Sequence, residues 1–272
     1  ILPGRPFITV WNAPSSGCWD RFRVALDLGP FDIVVNEEQR FAGSEMVIFY
    51  SSQLGLYPWY NTQGDPINGG TPQNASLAAH LKKAPADLNA TMASPDFQGV
   101  VVVDWEDWRP LWDRNWDQKS IYRQRSEDLV RQRHPHWPDP EVTRTAKEEF
   151  QKAARMFMEA TLDLGRTLRP GGLWGFYGFP ACYNYNYKNS SLNYTGECPQ
   201  AEVQRNDQLW WMWGASRALY PHIYLEPLLR NSPHVQPYVR HRIQEAFRVS
   251  RGAEIPVLPY ARIVYTYSMD FL

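Results

Sequence analysis

Four valines in a row, Val100–Val103, follow Gly99 and run straight into Asp104-Trp105-Glu106-Asp107-Trp108-Arg109-Pro110. No other segment constrains the fold of this 272-residue chain as strongly. A strand with one wet face alternates apolar and polar residues. An unbroken apolar run is a strand covered on both faces, the condition of a parallel sheet under helices. Side chains alternate along a strand, so Asp104 and Glu106 are expected on one face and Trp105 on the other. Two carboxyls at the carboxyl end of a buried strand make a typical acid/base site for cutting a glycosidic bond. The plain alternative is a strand end whose acids cap a loop or a helix.

Strand-like segments alternate with helical ones along the rest of the chain. Phe7–Trp11, Phe31–Val35, Met46–Tyr50, Gly99–Trp105, Leu173–Tyr177, His222–Leu225 and Ile255–Tyr260 read as strands. Helices are expected near Ser76–Lys83 and Gln118–Arg133, and over Glu141–Leu168, Asn206–Leu219 and Val239–Arg251. Over Glu141–Leu168, residues Ala146, Phe150, Ala153, Phe157, Ala160 and Leu164 recur at helical spacing and form one buried face, until Arg169-Pro170-Gly171-Gly172 stops the helix. The loop Gly55–Gln73 carries Pro, Gly and Asn turn signals. A βαβα order implies parallel strands with covering helices. No Gly-rich phosphate loop follows the first strand, which favours a barrel over an open doubly wound sheet. With no repeat, low-complexity tract or linker-like break, residues 1–272 read as one domain. The segment Tyr267–Leu272 brings no helix after the last strand, so the expectation is a barrel lacking its last units.

Charge and composition remove several classes. Lys and Arg number 28 against 29 Asp and Glu, so the chain lacks the basic field of a general nucleic-acid binder. No apolar stretch approaches the roughly 20 residues of a transmembrane helix. The six histidines show no zinc-like spacing, no nucleophilic Ser or Cys motif is visible, and no cofactor is implied. The 12 Trp and 15 Tyr exceed what a core needs and suit carbohydrate, whose C–H faces stack on aromatic rings.

Four sequons, at Asn74, Asn89, Asn189 and Asn193, favour the secretory pathway, where disulfides persist. Cys182 and Cys198 flank the Tyr- and Asn-rich loop 183–197 and form the preferred local pair. That pairing leaves Cys18 alone, and its partner is expected beyond Leu272.

The residues of several segments match a known family. Gly99–Trp116 resembles the signature of the animal hyaluronidases, glycoside hydrolase family 56. So do Met46–Tyr50 with Gln53–Tyr57, Gly172–Pro180, Asn206–Trp210, Ala218–Tyr224 and His241–Arg248, in order along the chain. The wording between these motifs, as in Ser51-Ser-Gln-Leu-Gly55 and Ile121–Ser126, is most similar to the lysosomal type-one vertebrate branch. The resemblance implies a distorted (β/α) TIM-like barrel of about seven strands with its site at the carboxyl ends. It implies endohydrolysis of the β-1,4 bond between N-acetylglucosamine and glucuronate in hyaluronan, slower on chondroitin, in a lysosomal or secreted protein. Carried over by motif, Glu106 is the general acid/base and Asp104 holds the substrate acetamido group with Tyr177 and Tyr224. Asn12, Tyr50, Arg242 and Tyr260 line the cleft. Relatives continue past the position of Leu272, with a further cleft tryptophan, the partner of the Cys18 position and an EGF-like module. This chain also departs from the pattern at Ala181, where many relatives have Asp, and at His222, where Ser is usual.

Residue geometry is consistent with that chemistry. Side chains at i and i+2 on one strand sit about 6–7 Å apart and approach a sugar from one side. An ordinary retaining glycosidase needs carboxyls on opposite sides of the anomeric carbon. One acid and an acetamido-orienting partner suit substrate-assisted catalysis with net retention instead. Without the resemblance, Tyr177 and Tyr224 read as core-edge tyrosines and Arg242 as a solvated or salt-bridged arginine. Trp210, Trp211 and Trp213 read as core. The alternative to a hydrolase is a truncated, catalytically silent chain that binds hyaluronan or a partner without cutting.

Overall fold

The computed structural model describes residues 4–189, 193–251 and 255–272. Ser190 and Ser191 of the Asn189 sequon lie outside the described residues. The chain divides into two compact units, residues 1–173 and 174–272.

In the first unit, β1 (Thr9–Val10) pairs in parallel with β2 (Ile33–Val34), and the short helix α1 (Cys18–Phe22) lies between them in sequence. Both strands are shorter than their apolar segments suggest. Phe7 and Phe31 are exposed, so burial does not extend the pairing outward. The unit is centred on β3 (Met46–Tyr50) and β6 (Val100–Asp104), paired in parallel from Met46–Val100 to Tyr50–Asp104. Met46–Phe49 and Val100–Val103 are all buried, the double coverage that an unbroken apolar run anticipates.

Between these strands the 55–73 loop contains the antiparallel pair β4 (Trp59–Tyr60) and β5 (Pro66–Ile67). Helix α2 (Leu77–Thr91) starts on Ser76, whose hydroxyl accepts from the Ala79 amide. It runs eight residues past Lys83 and through Pro85. Proline costs a hydrogen bond inside a helix. Here His80, Ala84 and Leu88, spaced by four, bury one face and outweigh that loss.

Helix α3 (Ser120–Arg133) and α2 both pack on α4 (Asp139–Leu168). Asp139, Pro140 and Glu141 open α4, a proline that needs no N–H and two acids at the positive helix end. Its buried face is Val142, Ala146, Phe150, Ala154, Phe157, Met158, Thr161, Leu162 and Gly165. Ala153, Ala160 and Leu164 of the expected stripe are only half-buried. A 30-residue straight helix drifts relative to a fixed repeat, so its contact stripe rotates along its length.

Strand β7 (Leu173–Phe176) crosses from the first unit into the second. In the second unit the segments expected as strands at 222–225 and 255–260 reduce to parallel bridges: Tyr177 with Tyr220, Leu219 with Val257, and His222 with Tyr260. The reason is covalent. Pro221, Pro256 and Pro259 have no N–H to donate to a ladder. Their neighbours still supply bonds, Leu219 to Pro256 O at 3.0 Å and Tyr260 to Pro221 O at 2.7 Å.

The helix expected over Asn206–Leu219 is two helices, α5 (Gln200–Gln208) and α6 (Trp210–Ala215). The Asn206 carbonyl accepts from the Leu209 amide at 3.1 Å and from the Trp213 indole at 2.8 Å, breaking the regular ladder at Leu209. Trp211 and Trp213 are buried, whereas Trp210 is 62% exposed and corrects its expected place in the core. Asn206 also donates to Glu245 on α7 (Val235–Val249) at 2.7 Å, tying α5 to that helix. Cys182 and Cys198 form a disulfide, and Cys18 is a free thiol among the described residues. Among the described residues no helix is long and apolar enough to cross a membrane.

Candidate functional site

Regular pairing ends at Asp104, so Trp105 and Glu106 lie just beyond β6. Trp105 is buried, its ring stacked on Tyr57 at 4.6 Å and edge-on to His80 at 5.6 Å. Tyr57 stacks also on Trp108 at 5.4 Å, and the Trp108 indole donates to Pro58 O at 2.8 Å. This aromatic stack anchors Trp105 and Trp108 in the core on either side of Glu106 and Asp107.

The two acids occupy different surroundings. Asp104 is mostly buried, and its Oδ1 has no hydrogen-bond partner among the described residues. Burial first, then the neighbouring Glu106 and Asp107 charges, pushes its carboxyl up to about 7, with Arg109 opposing. The Glu106 side chain is 55% exposed. Its backbone carbonyl accepts from Arg109 Nη1 at 3.0 Å and from Lys119 Nζ, while the Arg109 guanidinium reaches only 4.0 Å from its carboxylate. Glu106 is thus fixed by its main chain with an open carboxylate. Lys119 also donates to Asp107 O at 3.3 Å. Burial and then the Arg109 charge bring Lys119 down to about 8, and burial raises Asp107 against the pull of Lys119. Asp104 is thus the carboxyl that burial holds away from water, and Glu106 is the one open to an incoming group.

Tyr50, 39% exposed, faces Asp104 across the strand pair. Asn12 follows β1, and its buried Oδ1 has no partner among the described residues.

The second unit gathers Tyr177, Tyr224, Tyr260 and Arg242 into one cluster. Tyr177 and Tyr224 share a hydroxyl hydrogen bond of 3.1 Å, and the Tyr260 ring meets Tyr177 edge-on at 5.0 Å. His222 lies between Tyr177 at 6.1 Å and Tyr224 at 5.2 Å. Arg242 is buried, and among the described residues no acid holds it. It donates to Asn184 Oδ1 and His222 O, both at 3.0 Å, and lies over the Tyr238 and Tyr185 rings at 4.6 and 5.0 Å. Its Nη2 has no partner among the described residues.

Several residues of these clusters escaped the sequence reading. Tyr57, Asn184, Tyr185 and Tyr238 carry no charge pattern, and only the fold brings them to the acids or to Arg242. Arg262 lies over the Tyr224 ring at 4.6 Å, and Lys119 reaches the acid segment from 13 residues away. All four sequon asparagines are exposed.

Comparison with known proteins gives one consistent result. The sequence is 54% identical to human Hyaluronidase-1 and 53% identical to pig Hyaluronidase-1, over 100% and 97% of this chain. The chain spans about three-fifths of the length of these relatives, 63% and 61%. The structure matches bee venom hyaluronidase, solved in complex with a hyaluronic acid tetramer, with a TM-score of 0.84 and 31% identity. That match covers 96% of this chain and 81% of the bee protein, and it shows the fold class, a TIM-barrel-like α/β fold. The family pattern described as Hyaluronidase, glycoside hydrolase family 56, matches residues 1–272, and the chain belongs to that family.

Proposed function

We propose that the protein is an endo-β-N-acetylhexosaminidase. It cleaves the β-1,4 bond between N-acetylglucosamine and glucuronate in hyaluronan, more slowly in chondroitin, with retention and with help from the substrate's own acetamido group. The observation that carries this reading is the split environment of Asp104 and Glu106 at one strand end, in a chain of this family.

In the first step the acetamido oxygen attacks the anomeric carbon while Glu106 gives its proton to the leaving glycosidic oxygen, whose bond to that carbon breaks. The product is an oxazolinium-like ring. In the second step the Glu106 carboxylate takes a proton from water, whose oxygen attacks the same carbon and reopens the ring. Two inversions give net retention. Asp104 faces the acetamido nitrogen. Its carboxyl oxygen accepts from that N–H, which grows acidic as the ring closes. General acid/base transfer of this kind supplies roughly 10²–10⁴-fold.

Tyr177, Tyr224, Tyr260, Tyr50, Asn12 and Arg242 supply substrate contacts in this reading. Arginine is suited to the carboxylate that hyaluronan carries in every disaccharide. The four sequons at Asn74, Asn89, Asn189 and Asn193 support a glycosylated, lysosomal or secreted protein.

The test is release of new reducing ends from hyaluronan at acidic and neutral pH, with Glu106→Gln as control. Acid-favoured cleavage that Glu106→Gln lowers at least a hundredfold supports the hydrolase. Binding without cleavage by folded protein overturns it in favour of a silent binder.

A further inference from the structure

His80 is fully buried on α2, and the chemistry described above does not use it. Its Nδ1 accepts from the Leu56 amide at 2.8 Å, and its Nε2 lies 2.8 Å from Thr161 Oγ1. The Thr161 hydroxyl spends its only proton on Phe157 O at 2.6 Å, so it must accept from Nε2. Both ring nitrogens are therefore assigned, and the network demands the neutral imidazole with its proton on Nε2.

Two turns further along α2, Asp87 accepts from the Gly55 amide at 2.8 Å. Two side chains of one helix thus grip consecutive amides of the loop that carries Tyr57. Gly55 adopts φ +67°, and a Cβ there would come 2.2 Å from His80 Nδ1, so loop and ring are fitted to each other.

We propose that His80 is a positioning residue for the acid pair: its imidazole fixes the 53–58 loop, and through Tyr57 that loop fixes the Trp105 ring between Asp104 and Glu106. Trp105 is held from two sides, by the Tyr57 stack at 4.6 Å and by the edge of His80 itself at 5.6 Å. The strand end that presents both acids takes its tilt from this ring.

A protonated His80 would set an N–H against the Leu56 N–H. Burial brings the imidazole down to about 4, so the neutral ring persists in mildly acidic solution. The charged groups acting on it are Asp87, which favours protonation, and Lys83, which opposes it, both on α2. Helix α4 meets the ring through Thr161 and Phe157, the loop through the Leu56 amide, and the end of β6 through Trp105. The folded-state pKa lies below the unfolded one, so the network's stabilisation is full above about pH 6.5 and is lost as pH falls through about 4.

The inference rests on the hydrolase reading, and the experiment separates the two. Hyaluronan cleavage is compared for the purified wild-type protein, His80→Asn and the milder Thr161→Val, with circular dichroism melts to confirm folding. The expected result is a ten- to hundredfold fall in kcat with KM within about twofold, as for displaced catalytic groups. His80→Asn should also lose one ionisation near pH 4 from the acid limb of the pH–rate profile. A folded variant with wild-type kcat, or with raised KM and intact kcat, overturns the inference. Should His80→Asn not fold, Thr161→Val carries the same kcat and KM outcomes. If the wild type releases no reducing ends, the hydrolase reading fails by itself. Carboxyl-carbon NMR of Asp104 then decides: its titration midpoint moves in the variants if His80 sets the strand end and stays if it does not.

Discussion

Tyr50 and Asp104 stand opposite each other as the last paired residues of β3 and β6. The register places a phenol at the open mouth of the strand pair, directly across from the carboxyl that burial pushes up to about 7. Tyr50→Phe should leave stability within about 0.5 kcal/mol, because the hydroxyl is not part of the core. It should lower kcat/KM for hyaluronan about fivefold to tenfold, the worth of one hydrogen bond to substrate. A melt and a progress curve on the same sample check both.

Asp104 gives a stability signature that needs no substrate. Its folded-state pKa, about 7, lies above the ordinary carboxylate value, so its contribution is fully present below about pH 4 and is lost as pH rises through about 7. Asp104→Asn removes the cost of ionising a buried group. The variant should therefore melt about 2–4 °C above wild type at pH 8.5, with the gap closing at pH 5. A gap that fails to shrink between those two pH values would contradict the raised pKa.

Tyr177 and Tyr224 share one hydrogen bond within the second unit. Tyr177→Phe and Tyr224→Phe should each cost about 0.5–1.5 kcal/mol in urea unfolding, and the double variant should cost less than their sum. Additivity would mean that the pair is held by its surroundings rather than by its own bond.

The Cys182–Cys198 disulfide closes a loop with a sequence separation of 16. Replacing both cysteines by alanine should lower stability by about 3 kcal/mol, the loop-closure entropy returned to the unfolded chain. Urea unfolding of the double variant against wild type reads this directly.

Gly55→Ala combines a left-handed backbone with a methyl driven into His80. It should destabilise by at least about 2 kcal/mol, more than either effect alone. Gly64, which also has positive φ but no neighbour within 4 Å, provides the control: Gly64→Ala should show only the backbone part.

Much of this fold could be read from the chain because the strongest signals are local and redundant. Met46–Tyr50 and Val100–Asp104 are runs that only double coverage explains, and the 141–168 pattern is long enough that no other element fits. Weaker segments failed for identifiable reasons. Pro221, Pro256 and Pro259 thin the second unit's strands to bridges. One indole contact divides the 206–219 helix, and a well-buried face carries α2 through Pro85. Each is a tertiary contact outweighing a local preference or a missing donor outweighing an apolar pattern.

The sequence by itself determined the parallel strand pair, the acids at its carboxyl end, the family and the set of residues to watch. The tertiary structure decided their environments. Asp104 and Glu106 stand two residues apart and both are acids, yet one is mostly buried, its Oδ1 without a hydrogen-bond partner among the described residues, and the other is open to solvent. Trp105, Tyr57 and His80, brought together from three separate segments of the chain, pack against one another beside that strand end. A pKa depends on what surrounds a carboxyl, and burial is a property of packing that no local pattern contains.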